Sequence, residues 1–250
     1  GRGSLPLPAG EGWGEGFLTG RASRRFSLAA TLLTVAITAL AFALRVVGLD
    51  AESLWFDTAH SGVVALNSTV GQVVQGAAAD YQAPAYFVLQ HFWLMVAQQD
   101  FWLGYPSVMA GTLIIPLSFA FGHRLFDANA GLAAALISTL TTYQVYYSRY
   151  PRAYILLAFL GLLAAYWLHR ALFPQREAGA PGLPVRRALP WLAHGGTVVV
   201  ALYTQPYAFF IVAAMWGAAG LHALLLRRGN LLPLIATAVL VGGEIGRAHV

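Results

Sequence analysis

The chain contains no cysteine and no lysine, and only 10% of its 250 residues are charged. Without cysteine there is no disulfide framework, no thiolate nucleophile and no cysteine-based metal site. Without lysine there is no Gly-rich phosphate loop of the type that ends in Gly-Lys. All fifteen basic residues are arginine, a pattern read as GC-rich coding bias, so the net charge of +5 does not point to nucleic acid. What is abundant is apolar: 58% of residues are hydrophobic, in uncharged runs that reach the roughly 20 residues a helix needs to cross a bilayer. The composition is that of an all-α, polytopic transmembrane helical protein.

Charge spacing marks the spans. Leu28 to Leu44 is an apolar run preceded by Arg21, Arg24 and Arg25, which places the N-terminus in the cytoplasm by the positive-inside bias and sends this helix outward. Residues 48–100 hold Asp50, Glu52, Asp57, Asp80 and Asp100, half of the ten acidic residues, and no Arg. This is read as a large external loop. Phe101 to Gly122 returns to Arg124, Ala128 to Ser148 goes out to Arg149 and Arg152, and Ala153 to Leu168 comes back to Arg170. Residues 173–190 form an inner loop, far too short for the soluble αβ domain of a nucleotide-sugar transferase. Ala188 to Leu226 is too long for one span and breaks at Pro206. With a last run at Leu231 to Gly243, seven spans are expected.

Both ends read as foreign to this pattern. Residues 1–20 form a Gly-rich, aperiodic lead, and the first Met is Met95. The final hexapeptide, IGRAHV, is encodable by the start of a common sequencing adapter, so residues 244–250 are expected to be a non-native tail on a membrane domain of residues 21–243. With its last span cut, this stretch is expected to be inactive by itself.

Within the external loop, Ser53–Asn67 and Thr69–Ala79 have helical character, with Thr69 and Gln72 placed as a capping box. The apolar segment after Pro84 is short and is laid in the interface, because a further span would turn Arg124, Arg170, Arg186 and Arg187 outward. In the stretch SLWFDTAHS, Asp57 is a carboxylate at the membrane surface, a functional candidate by default. His60 and Ser61 lie one helical turn on. The alternative for Asp57 is a solvated acid or helix cap. Trp55 and Phe56 read as interface anchors.

The ordered blocks LRVVGLDAESLWFDTAHS, ADYQAPAYFVLQHFW, YPSVMAGTLIIPLSFAFGHRLFDANAGLAAALISTLTTYQVYYSRYPRAYILLAFL and ALYTQPYAFFIVAA resemble the bacterial protein O-mannosyltransferase and lipid A aminoarabinose transferase superfamily. The resemblance spans roughly residues 40–215. It implies the C-type glycosyltransferase fold, with amphipathic juxtamembrane helices in the first external loop. It further implies sugar transfer from a polyprenyl phosphate at the outer face of the bacterial cytoplasmic membrane. The acceptor would be an envelope glycan, lipid or protein. Asp57, His60, Ser61, His91, Arg152 and Tyr154 match the family's blocks. Thr58 stands where a second acidic residue is usual, Gln82-Ala83-Pro84 replaces His-Pro-Pro, Arg149-Tyr150-Pro151-Arg152 replaces Gln-Glu-Ala-Arg, and Gln205 replaces His. With one carboxylate left, no metal and no other cofactor are expected.

Inverting displacement needs a base for the acceptor hydroxyl, and a polyprenyl phosphate leaves without a general acid. Asp57 is the expected base, and Thr58→Glu is expected to be tolerated because Thr58 reads as external. Arg152 and Arg149 suit the carrier phosphate, because a guanidinium makes bidentate contacts and stays charged. Pro151 is placed in the first turn of the following helix, whose dipole adds to the attraction. Capping of a helix end and headgroup binding are the alternatives for both arginines. Arg45 is a third phosphate contact or snorkels to the outer surface. His91, Tyr86 and Trp93 line a sugar or prenyl groove, or His91 makes an interfacial hydrogen bond. A transporter and a non-catalytic polyprenyl-phosphate-binding relative are the competing readings. A transporter is expected to show buried charge or broken helices in mid-membrane.

Overall fold

The structure is a computed structural model that describes residues 27–49, 56–96, 100–174 and 184–226. The expected lead, tail and last span lie outside the described residues. Every regular element among the described residues is an α-helix: α1 (Leu28–Val46), α2 (Phe56–Ala65), α3 (Val70–Ala79), α4 (Ala85–Leu94), α5 (Asp100–Leu125), α6 (Ala128–Leu140), α7 (Thr142–Arg149), α8 (Tyr154–Leu172), α9 (Pro184–Thr204) and α10 (Ala208–Leu226). Leu28–Val46, Phe101–Leu125 and Tyr154–Leu172 are long and apolar enough to cross a membrane.

Helix α5 is the centre, with α1, α6, α7 and α8 packed around it and α4 laid on its N-terminal part. Small residues set the closest crossing: a Cβ on Gly131 of α6 would meet the Phe119 carbonyl of α5 at 2.6 Å. Such close backbone approach is how helices pack when lipid supplies no hydrophobic drive between them. Helices α8, α9 and α10 form a second packed group, with Ala164, Val198 and Val212 buried between them. Here His194 donates from Nδ1 to the Ala164 carbonyl at 3.0 Å and accepts at Nε2 from the Trp216 indole at 2.9 Å. Both ring nitrogens of this buried imidazole are therefore satisfied in its neutral form.

The chain alternates between two ends of the bundle, as the arginine spacing predicts. At one end Arg149, closing α7, donates to the Leu44 and Val47 carbonyls at the end of α1, both at 2.7 Å. At the other, Arg124 near the end of α5 donates to the Phe173 carbonyl after α8 at 2.6 Å. Helix α4 has ten residues and so rises about 15 Å, half of the roughly 30 Å hydrocarbon core. At that length it does not span. Thr69 caps α3 by accepting from the Gln72 amide at 3.3 Å, one half of the expected box.

Three expectations fail locally. The outward span 128–148 is two helices, because Thr141 has extended backbone with ψ 118°. Its hydroxyl and that of Thr139 instead bond carbonyls four residues back, at 2.6 and 2.9 Å, a competition that favours leaving the helix. Helix α9 begins at Pro184, inside the expected inner loop, since proline is well suited to a first helical position. Arg45 does not snorkel: it is fully buried. Its side chain points back toward the start of α1, as helical Cβ vectors do. It donates to Ser148 Oγ at 3.0 Å, Ala41 O at 3.0 Å and Ser138 O at 3.2 Å. The break at Thr141 removes the amide that would normally serve the Ser138 carbonyl, and Arg45 takes that place.

Candidate active site

The end of the bundle that carries Arg149 also gathers helices α2–α4, the α7–α8 junction and the α9–α10 turn. Between them lies a cleft of about 360 Å³ lined by Tyr81 and Gln82 after α3, Arg152, Ala153 and Tyr154 at the start of α8, and Gln205, Pro206 and Tyr207 before α10. Three separate connections thus converge on one space. Its size is at the small end of the roughly 300 to 1,000 Å³ of small-molecule sites.

Arg152 joins this cleft to α2. Its Nη1 donates to Ser61 Oγ at 2.9 Å and to the Asp57 carbonyl at 3.3 Å, while Nε and Nη2 have no hydrogen-bond partner among the described residues. Helix α8 has no side-chain cap at its start, so its first amides add donors and positive dipole beside Arg152. Pro151 is not in the first helical turn as expected. It lies before the helix in a tight turn closed by Arg152 N donating to Tyr150 O at 2.7 Å.

Asp57 is on the first turn of α2, exposed, and its carboxylate has no partner among the described residues. His60, one turn on, faces Asp80 rather than Asp57, with Nε2 and Oδ2 3.7 Å apart. The same Asp80 oxygen accepts from Gln82 Nε2 at 2.8 Å. Asp80 is the residue that sequence reasoning missed: it closes α3 twenty positions beyond His60, and only the antiparallel return of α3 on α2 brings the two together.

The remaining expected site residues are dispersed. Tyr154 lines the cleft and continues a run of rings on α7, stacked on Tyr150 at 6.4 Å, itself stacked on Tyr146 at 6.0 Å. Arg149 is engaged with the end of α1, and Arg45 is enclosed in the bundle. His91 is buried, with Nδ1 2.9 Å from the Ala65 carbonyl, and fastens α4 to the end of α2. Tyr86 is buried against Ser107 at 2.7 Å, where burial pushes its hydroxyl well above the usual phenol range and keeps it protonated. Trp93 stacks on Tyr105 at 5.3 Å, with Phe101 and Trp102 close by. This aromatic cluster has the character of an interface belt.

Thr58 is not external. It is 1% exposed, and its hydroxyl has no hydrogen-bond partner among the described residues, because α2 turns this side toward α4 and α5 while presenting Asp57 outward. The expectation that Thr58→Glu is tolerated therefore reverses. An unpaired carboxylate buried there costs several kcal/mol, roughly, whereas Thr58→Val keeps the shape and removes an unsatisfied hydroxyl worth about 1 kcal/mol. Thermal unfolding in detergent is expected to give a midpoint for Thr58→Val at or above the parental value. Thr58→Glu is expected to lose folded protein. A Thr58→Glu protein of parental stability would contradict the burial.

Next to Asp80, Tyr81 has φ 54°. The amides of Tyr81 and Gln82 close on the carbonyls of Ala78 at 3.0 Å and Ala77 at 2.9 Å, the paired bonds of a Schellman helix end, whose left-handed position is usually glycine. A side chain there costs about 1 to 2 kcal/mol.

Comparison of the chain with protein-family models, with curated proteins and with solved structures gives no match. Among the described residues no group of three or more His, Cys, Asp or Glu side chains is arranged to hold a metal ion.

Proposed function

We propose that the chain is a membrane-embedded glycosyltransferase that moves a sugar from a polyprenyl phosphate to an envelope glycan, lipid or protein acceptor at the outer face of the bacterial cytoplasmic membrane. The observation that carries this reading is the convergence, on one cleft, of the uncapped start of α8 and the Nε and Nη2 of Arg152, unpartnered among the described residues, with the exposed Asp57 carboxylate on the adjoining turn of α2. Such donors suit a phosphate that is gaining charge. In the reaction the acceptor oxygen attacks the anomeric carbon and the bond from that carbon to the phosphate oxygen breaks. The polyprenyl phosphate departs with the electron pair, and Asp57 takes the acceptor proton. Inversion at the anomeric carbon follows from the single displacement.

Full-length protein in liposomes, given a polyprenyl phosphate carrying a radiolabelled sugar, is expected to yield labelled acceptor. Sidedness is tested separately. In intact cells an impermeant thiol reagent is expected to label Gln75→Cys and not Arg187→Cys. The opposite pattern would put the cleft on the cytoplasmic side and defeat the proposed location.

One observation favours a second reading. A buried arginine against a helix broken at Thr141 is the kind of feature found at transporter substrate sites. In the same liposomes a transporter gives labelled donor in the lumen and no covalent product.

A further inference from the structure

We propose that the cleft is a pyranose subsite in which Tyr81 forms the stacking wall, an inference that rests on the glycosyl-transfer reading and says which part of the donor the cleft holds. Tyr81 is the one non-glycine residue with positive φ among the described residues. It is 96% exposed, and its ring touches no other ring among the described residues. Glycine would close the same helix end without steric cost. A tyrosine there bears backbone strain and leaves a large apolar face in water, so nothing among the described residues rewards it. What the residue achieves is placement, because Tyr81 is one of the residues that line the cleft.

The rest of the lining suits the same ligand. Tyr154 and Tyr207 add two more half-exposed or exposed rings, 44% and 66% accessible. A pyranose presents an apolar face of C–H groups and a rim of hydroxyls. The C–H face packs on the electron-rich face of an aromatic ring. The rim needs neutral hydrogen-bonding groups, and Gln82 and Gln205 are in the wall. Because the Gln82 amide nitrogen is tied to Asp80, its carbonyl oxygen is left to accept from a hydroxyl. Arg152 and the start of α8 then stand where the phosphate on the anomeric carbon would lie. A cleft of about 360 Å³ holds one sugar ring and its phosphate, not a glycan chain.

The test uses farnesyl phosphate and its glucosyl and mannosyl phosphodiesters, titrated calorimetrically into the full-length protein in nanodiscs. Tyr81→Gly is expected to weaken the sugar-bearing probes by about fivefold to tenfold and to leave farnesyl phosphate unchanged. Relief of the left-handed strain is expected to raise its thermal midpoint by about 2 to 4 °C. Tyr81→Trp is expected to retain the sugar-dependent affinity. Equal weakening of all three probes would make Tyr81 a lipid or folding contact, and unchanged binding of all three would leave it without a role; either result overturns the inference alone. If the parental protein binds none of the probes, the transferase reading falls and this inference falls with it.

Discussion

Asp57→Asn is expected to lower the rate of sugar transfer by about two to four orders of magnitude, the contribution of a positioned general base, with fold and donor affinity unchanged. The geometry makes this a clean substitution. It is the backbone carbonyl of Asp57 that accepts from Arg152, so the link between α2 and α8 survives the change. The carboxylate itself is exposed and, among the described residues, unengaged, so asparagine removes charge and basicity while disturbing no internal bond. Initial rates with a radiolabelled polyprenyl phosphate sugar measure the effect. Asp80→Asn is the control, because Asp80 is held by Gln82 and His60 and is expected to act on positioning alone. A parental rate in Asp57→Asn would end its assignment as base, and a collapse in Asp80→Asn alone would move that role to Asp80.

Arg152→Ala is expected to weaken binding of the polyprenyl phosphate sugar by about tenfold to a hundredfold, since each hydrogen bond to a charged group contributes about 1.5 to 3 kcal/mol. Arg152→Lys should recover only part, because a point charge cannot present the guanidinium fork. Arg152 also holds Ser61, so Ser61→Ala separates the two duties. It deletes the shorter of the two internal bonds and keeps the cation, and is expected to bind donor nearly as the parent does. Unchanged donor affinity in Arg152→Ala would make this residue a tie between α2 and α8 and nothing more.

What was legible in the sequence follows what a single chain can express. The alternation of ends came from arginines spaced by apolar runs, a local signal, and Pro206 marked the α9–α10 turn by its own chemistry. The burial of Thr58 was hidden because adjacent helical residues point about 100° apart, so an external loop still has an inner side. Arg45 was misread for a related reason. Its partners are created by a break in a helix about a hundred residues away, and the threonines that cause it look harmless in an apolar run. Tyr81 left no trace at all, since the usual mark of a left-handed helix end is glycine and none is there. Of the expected site residues, the cleft contains Arg152 and Tyr154. Asp57 and His60 stand on the adjoining α2, whereas His91, Arg149 and Arg45 hold helices together.

The enclosure of Arg45 also constrains how the chain is made. Its hydroxyl partner, Ser148, lies 103 residues further along. At roughly 5 to 20 residues per second, α1 leaves the ribosome on the order of 5 to 20 seconds before that partner exists. During the interval the guanidinium has only its own helix for company, and a lone charge in hydrocarbon is costly. A first helix that spans would avoid this cost by riding high, with its end in the headgroups, until α6 and α7 arrive. Settling of α1 would in this view be a two-stage event, completed by the broken segment α6–α7 that the ribosome delivers late.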